Sequence, residues 1–346
     1  MRAALLAEPG DHAALFADAH RTIARAIGLG APDRLLLTSS CTQALSIAIG
    51  DLPWQAGDVV ITSSLEHHAL ARPVSKLVHE RGVVHERAPY APGRPFDLEF
   101  AARLLCGGRV RLVAVTGACN VTGEVLPLAT IADLAHRHDA LLLLDAAQTA
   151  GTLPDAPGTT GADVVVFAGH KGLQGPLGIG GLWAAPHVRF TCPAAVCEIG
   201  SGGPGPALAP FPGFCDVGSV NLPAAAGLAV SAEWLRSLPP ADRSRPLRLA
   251  ARLHTEAAGR PHCRVLGGDG EHTGTRSFVI DGLPLERAEA HFAARGIVVR
   301  AGSHCAPMAL DALGVPRGCL RIGFGPTNRD DDVDAVLAAI DAVRPA

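Results

Sequence analysis

The chain has 346 residues, room for one large domain with a smaller one or for two of ordinary size. Its formal charge of −3, pI near 6.6 and lack of any basic run exclude the electrostatic footprint of a nucleic-acid or acidic-membrane surface. Apolar residues reach 48% while aromatic ones are only 4%, so the core must be built mainly from Ala, Val, Leu and Ile. Nine scattered cysteines form no CxxC pair, and the start MRAALLAEPGDH has too short an apolar run for a secretion signal, which together point to a reduced, cytoplasmic compartment. No stretch approaches the roughly 20 apolar residues of a membrane span.

In chain order, an amphipathic helix is expected over Ala13 to Ile27, within an N-terminal helical segment of residues 1–30. From Arg34 short apolar strands alternate with segments of helical period, the βαβ pattern of a mostly parallel sheet covered on both faces. The strands are Leu35 to Thr38, Val59 to Thr62, Val83 to Glu86, Leu112 to Thr116, Leu141 to Asp145, Val164 to Phe167 and Gly181 to Ala184. Helices fill Thr42 to Ile49, Leu70 to Arg81, Leu98 to Cys106 and Leu128 to His138. Ile199 to Gly213 is dense in Gly and Pro and reads as a loop, and a linker-like helix follows. The pattern therefore gives a large α/β domain over 31–235. A smaller α+β domain over 236–346 carries a helix at Leu247 to Ala258, strands near Thr275 to Ile280 and Ile297 to Val299, and a last helix from Arg329 to Val343.

The most informative stretch is Asp163 to Trp183, DVVVFAGHKGLQGPLGIGGLW, a strand that Gly169 breaks to present His170 and Lys171 at its carboxyl end. Only two of the 30 basic residues are lysine, Lys76 and Lys171. Arginine can replace a surface lysine, but its guanidinium stays protonated and cannot condense with a carbonyl, so a lysine kept among glycines is a candidate nucleophile.

Other strand ends carry further candidates. LTSSCTQAL, Leu37 to Leu45, joins a strand to a helix start through a small polar turn, which suits a phosphate and equally an ordinary N-cap. In LLLLDAAQ, Asp145 ends a strand with Gln148 three residues on. A carboxylate there can pair with a ring-nitrogen cation or simply cap a helix. SSLEHHALARP brings His67, His68 and Glu66, which lack HExxH spacing and do not converge on one ion, so no metal is expected. In VTGACNVTG, Asn120 ends another strand. In VVRAGSHCAP, Cys305 follows Gly302 beside His304 and close to Arg300, and positive neighbours favour a thiolate. Arg321 in LRIGFGPTN is a candidate clamp for a carboxylate.

Together these segments resemble the class V branch of fold-type I pyridoxal phosphate enzymes, and within it the cysteine desulfurases, from about Arg34 to Val343. The short segment around Cys305 looks like their second group, which overlaps with selenocysteine lyases. The resemblance implies pyridoxal 5'-phosphate on a mostly parallel seven-stranded sheet flanked by helices, with a smaller α+β C-terminal domain. Cys41 and Thr42 would lie in the phosphate turn, His67 would stack on the ring, Asp145 would hold its nitrogen, and Asn120 and Gln148 would meet its phenolic oxygen. Lys171, next to His170, would form the Schiff base and move the α-proton. Asn120, Arg321 and Arg300 would hold the substrate, and Cys305 would take sulfur (or selenium) from L-cysteine (or L-selenocysteine), to give alanine and, with cysteine, a persulfide for an acceptor protein. A homodimer is implied because the family builds its site between subunits.

The chain also departs from the family. Ala168 stands where a hydroxyl usually binds phosphate, Pro204 where a threonine reaches the partner subunit, and Asp216 and Ser219 sit in a DVGS segment in place of Glu-x-Gly-Thr. The customary first strand with its Asn-Ala-Ala-Thr turn is missing. Fewer hydroxyl partners imply weaker cofactor binding and a specialised pathway. The competing expectations are another class V enzyme, a C–S lyase, aminotransferase or epimerase in which Cys305 is incidental, and a non-catalytic homologue that binds a sulfur carrier.

Overall fold

The computed structural model describes residues 9–191, 211–212 and 221–343. Pro204, Asp216, Ser219 and most of the expected loop over 199–213 lie outside the described residues.

Helix α1 (Pro9–Ile27) precedes β1 (Leu35–Thr38), α2 (Cys41–Gly50), β2 (Val59–Ser63), α3 (His68–Arg81), β3 (Val84–Ala88), α4 (Leu98–Leu105) and β4 (Val110–Thr116). There follow α5 (Leu128–His136), β5 (Leu141–Asp145), β6 (Val164–Ala168), β7 (Gly180–Ala184) and α6 (Leu222–Ser237). The strands form one seven-stranded sheet in the order β1-β7-β6-β5-β4-β2-β3. β3, β2, β4, β5 and β6 are parallel, and β7 alone runs against its neighbours β6 and β1. The runs LLLLD and VVVFA explain the two central strands. β-branched and leucine side chains without polar alternation suit a strand covered on both faces, and every residue of β6 is buried.

A second sheet, antiparallel, has the order β10-β11-β9-β8, from β8 (Cys263–Leu266), β9 (Thr275–Ile280), β10 (Arg300–Gly302) and β11 (Cys319–Gly323). One face carries α7 (Pro240–Ala258), α8 (Leu285–Ala293) and α10 (Asp330–Asp341), with Leu249, Leu253, Phe278, Phe292, Leu320 and Ile340 in a separate core. The short α9 (Pro307–Ala312) packs instead through Ala309 and Leu310 into the core of the large sheet. On the opposite side of β9 the Ser277 hydroxyl donates to the Val121 carbonyl at 2.6 Å, so the second sheet docks on the loop that leaves β4.

The strand expected at Ile297 to Val299 forms three residues later, as β10. The Ile297 amide is used by the carbonyl of Phe292 to close α8, and Val298 is 94% exposed. Pairing is set by Arg300 opposite Arg321 rather than by the apolar run. Among the described residues no helix is long and apolar enough to cross a membrane.

Candidate active site

The carboxyl ends of β2, β4, β5 and β6 point to one edge of the large sheet, and the candidate groups gather there because parallel strands end together. Asp145 closes β5, opposite Thr116 of β4, and is 3% exposed. Its Oδ1 accepts the Ala147 amide at 2.9 Å and the Cys41 thiol at 3.5 Å, and Oδ2 receives no protein hydrogen bond among the described residues. Burial pushes the Cys41 thiol well up, and the Asp145 charge adds to this, so the sulfur remains a neutral donor.

Lys171 follows β6 through a turn held by bonds from Gly169 N to the Ile179 carbonyl and from Gln174 N to the Lys171 carbonyl, both 2.9 Å. A Cβ on Gly169 would lie 2.7 Å from Ile179 Cγ2, so the turn needs its glycine. The Lys171 amine has no ion pair among the described residues. A cavity of about 440 Å³ opens beside it, lined by Gln148, His170, Gln174, Thr273 and Phe324 among others.

His67 lies at the N-cap of α3, where its Nδ1 accepts the Ala69 amide at 3.0 Å. That bond leaves the ring proton on Nε2. Burial first and then the Lys171 charge lower the His67 pKa, against Asp145, so the ring is neutral and suited to lie on an aromatic cofactor. Its neighbour Glu66 is fully buried. One carboxylate oxygen accepts from the Ser63 hydroxyl and amide, at 2.5 and 3.2 Å, and the other from the Thr116 amide at 2.9 Å. Glu66 thereby ties the turn after β2 to the end of β4. Burial pushes its pKa up to about 8 over the opposing pull of those bonds.

The start of α2 is a ready anion site. Ser40 caps the helix by accepting the Gln43 amide at 3.1 Å, and the first-turn amides of Cys41 and Thr42 have no partner among the described residues. Gly180 of β7 lies so close that a Cβ would stand 2.7 Å from Cys41 N. The Thr42 side chain is exposed, so its amide is the group available to a phosphate.

The fourth side of the site comes from the second sheet. The Asn120 side-chain amide donates to the His304 carbonyl at 2.8 Å, and the His68 amide donates to the Cys305 carbonyl at 2.9 Å. These bonds draw the exposed Cys305 toward the His67–His68 turn. His304 and Cys305 have φ of 50° and 55°, a left-handed pair that only such anchors hold without glycine. Arg321 on β11 donates through Nη1 to the Asn120 carbonyl at 2.8 Å, and its other donors have no hydrogen-bond partner among the described residues.

Two details differ from the sequence reading. His304 is not a positive neighbour for the thiol, because burial and the Arg321 charge push its pKa down to about 4 while its Nε2 donates to the Cys319 carbonyl at 2.9 Å. Arg300 is not drawn into the group either; it is exposed at the edge, with its Nε 3.9 Å from Glu289 Oε1. Lys171, His67, Asp145, Cys41, Asn120, Arg321 and Cys305 are brought together, with Gln148 and His170 along the cavity beside Lys171. Glu66, weighed in the sequence only as a metal ligand beside His67 and His68, is instead a buried acceptor, a role that only the packing reveals. Among the described residues no group of His, Cys, Asp and Glu is placed to hold a metal ion.

These residues fit the pyridoxal phosphate that the resemblance implies. Asp145 Oδ2 offers an acceptor to a protonated ring nitrogen, and the α2 amides offer donors to a phosphate. The buried Asn120 Oδ1, which has no protein partner, offers an acceptor to a hydroxyl.

A family model described as aminotransferase class-V matches residues 8–336. A probable cysteine desulfurase of Pseudomonas aeruginosa is 34% identical over 345 residues, covering 96% of this chain and 84% of that protein. The crystal structure of a cysteine desulfurase of Escherichia coli, in its S-sulfonic acid form, superposes with a TM-score of 0.86 at 27% identity, over 98% of this chain and 86% of that one. The apo structure of a cysteine desulfurase of Thermococcus onnurineus superposes with a TM-score of 0.88 at 24% identity, over 96% and 85%, a likeness of fold. The mostly parallel sheet with its smaller second sheet is that of fold-type I pyridoxal phosphate enzymes. On the family match and on this agreement of sequence and fold, the chain belongs to the class-V aminotransferase family.

Proposed function

We propose that this chain is a pyridoxal 5'-phosphate-dependent cysteine desulfurase, which converts L-cysteine to alanine and leaves the sulfur as a persulfide on Cys305. The observation that carries the reading is the anchoring of the Cys305 turn to both Asn120 and His68, which holds the backbone of an exposed cysteine against the end of β4 and the His67–His68 turn. The naming of the Pseudomonas relative supports it.

When bound, the cofactor supplies an electron sink for the bonds at the substrate's α-carbon. Lys171 would anchor it and, when displaced by substrate, hold and return the α-proton. Asp145 would keep the ring nitrogen protonated through Oδ2, the Cys41 and Thr42 amides would hold the phosphate, and His67 would cover the ring. Arg321, fixed by the Asn120 carbonyl, would pair with the substrate carboxylate. The Cys305 thiolate would attack the substrate sulfur: the new S–S bond forms as the C–S bond breaks, and the proton lost from Cys305 balances the one gained at the β-carbon. Alanine and a Cys305 persulfide are the products, so no external oxidant is needed.

The persulfide is proposed to pass to an acceptor protein, and the enzyme to act as a homodimer; both follow the resemblance. Alanine production from L-cysteine by the cofactor-loaded protein tests the reading. Loss of that production in Cys305→Ala supports the desulfurase. An undiminished C–S cleavage in Cys305→Ala would instead assign a lyase in which the thiol is incidental.

A further inference from the structure

The loop that leaves β4 carries a buried carboxylate that none of the chemistry above uses. Within residues 120–125, the Asn120 carbonyl accepts from Arg321, the Val121 carbonyl from Ser277, and the Gly123 carbonyl from the Thr273 amide at 2.8 Å, while the Val125 amide donates to the Glu271 carbonyl at 2.9 Å. Nearly every residue of this loop is thus bonded to the side of the molecule that holds the second sheet. Gly123 has φ +81°, and a Cβ there would stand 2.4 Å from the Thr275 carbonyl oxygen, so the two sides meet backbone to backbone.

Glu124, 2% exposed, sits at the centre of this contact. Its Oε2 accepts the Tyr90 hydroxyl at 3.0 Å, and its Oε1 accepts the Gly93 amide at 3.3 Å and the Gly268 amide at 2.9 Å. Three chain segments therefore converge on one carboxylate: residues 90–93 after β3, the β4 loop, and residues 267–268 before β9. The convergence is tight, since a Cβ on Gly268 would lie 2.2 Å from Gly93 N. Arg276, 4% exposed, adds an attractive charge nearby, and its Nη1 has no partner.

A buried carboxylate is costly to leave without donors, and this one is met by three donors and a charge. Its position four residues from Asn120 gives that arrangement a consequence at the active site. We propose that Glu124 is a positioning residue for sulfur transfer: it clamps the β4 loop so that Asn120 holds the Cys305 turn and Arg321 at a fixed separation from Lys171. The reaction assigned to Glu124 rests on the desulfurase reading; the clamping of the Cys305 turn does not.

The test compares the full-length, cofactor-loaded wild type with Glu124→Gln, which keeps the shape, and Tyr90→Phe, which removes one donor and opens no cavity. With L-cysteine, Glu124→Gln is expected to raise KM about tenfold and to lower kcat about threefold, because the Arg321 carboxylate site and the Cys305 turn are displaced together while Lys171 is not. Tyr90→Phe should shift KM the same way by about threefold. Hydrogen exchange of a peptide spanning residues 300–308 should accelerate in both variants, while β5 and β6 keep their protection. Wild-type KM together with unchanged exchange of that peptide would overturn the proposal. So would an equal loss of protection throughout the large sheet, which marks a merely structural role. If the wild type shows no activity on L-cysteine, the exchange comparison still decides the clamp, and the failure then belongs to the desulfurase reading alone.

Discussion

The side-chain amide of Asn120 donates to the carbonyl of His304 over 2.8 Å, and so a residue at the end of the large sheet holds the turn on which Cys305 stands. The turn is left-handed at both His304 and Cys305, a conformation that costs free energy for residues with a Cβ and persists only where the surroundings fix it. Asn120→Ala removes one anchor, worth roughly 0.5–1.5 kcal/mol, about a two- to twelvefold change in the occupancy of the productive turn. Alanine release from L-cysteine should fall by at least that factor. A variant that turns over at the wild-type rate would show that the turn needs no such anchor.

Gly180 tests the phosphate site without touching a proposed catalytic group. A Cβ there would press against Cys41 N and the Phe167 carbonyl oxygen, both at 2.7 Å. These are backbone atoms that cannot rotate away, so α2 must shift off β7 in Gly180→Ala. Overpacking of this kind costs about 1–3 kcal/mol, so cofactor affinity should drop about tenfold in a titration with pyridoxal phosphate. Ala168 supplies no hydroxyl at this end of the sheet, so the α2 amides matter more. Unchanged affinity would place the phosphate elsewhere.

Glu66 links the site to pH. Its pKa rises from 4.5 in the unfolded chain to about 8 when folded, so between those values the folded state holds a proton that the unfolded state has released. Its contribution to stability is therefore complete below pH 4.5 and is lost as pH rises through 8, at about 1.4 kcal/mol per pH unit between the two values. Glu66→Gln cannot titrate, and urea unfolding between pH 5 and 8 should show a flatter dependence than in the wild type. The same slope in both would mean that Glu66 is ionised in the fold.

Most strands of the large sheet were legible because each is a short apolar run bounded by turn residues, while the edge strand β3, VHERA, showed only through its Val83-Val84 start; the order of motifs placed Lys171, Asp145 and His67 at one edge. The direction of β7 was not legible, since GGLWA reads the same either way. On the smaller side, β8 (CRVL) is half exposed and too short to announce itself, and β10 was displaced from its apolar run because pairing with β11 sets the register. Cys305 was found by its neighbours, yet the reason given for its reactivity does not hold, because burial leaves His304 neutral. Nothing in the sequence marks Glu66, weighed there only as a metal ligand, or Glu124 as a buried group. Only the packing of chain segments distant in sequence makes them buried acceptors.

The most direct test of the account is the mass of the intact, cofactor-loaded protein after one turnover with L-cysteine, with alanine measured in the same sample. The account predicts one added sulfur atom, located on Cys305 by peptide mapping, in proportion to the alanine released, and neither product in Lys171→Ala. Alanine or another C–S cleavage product formed at the wild-type rate by Cys305→Ala, with no sulfur retained on the protein, would contradict it.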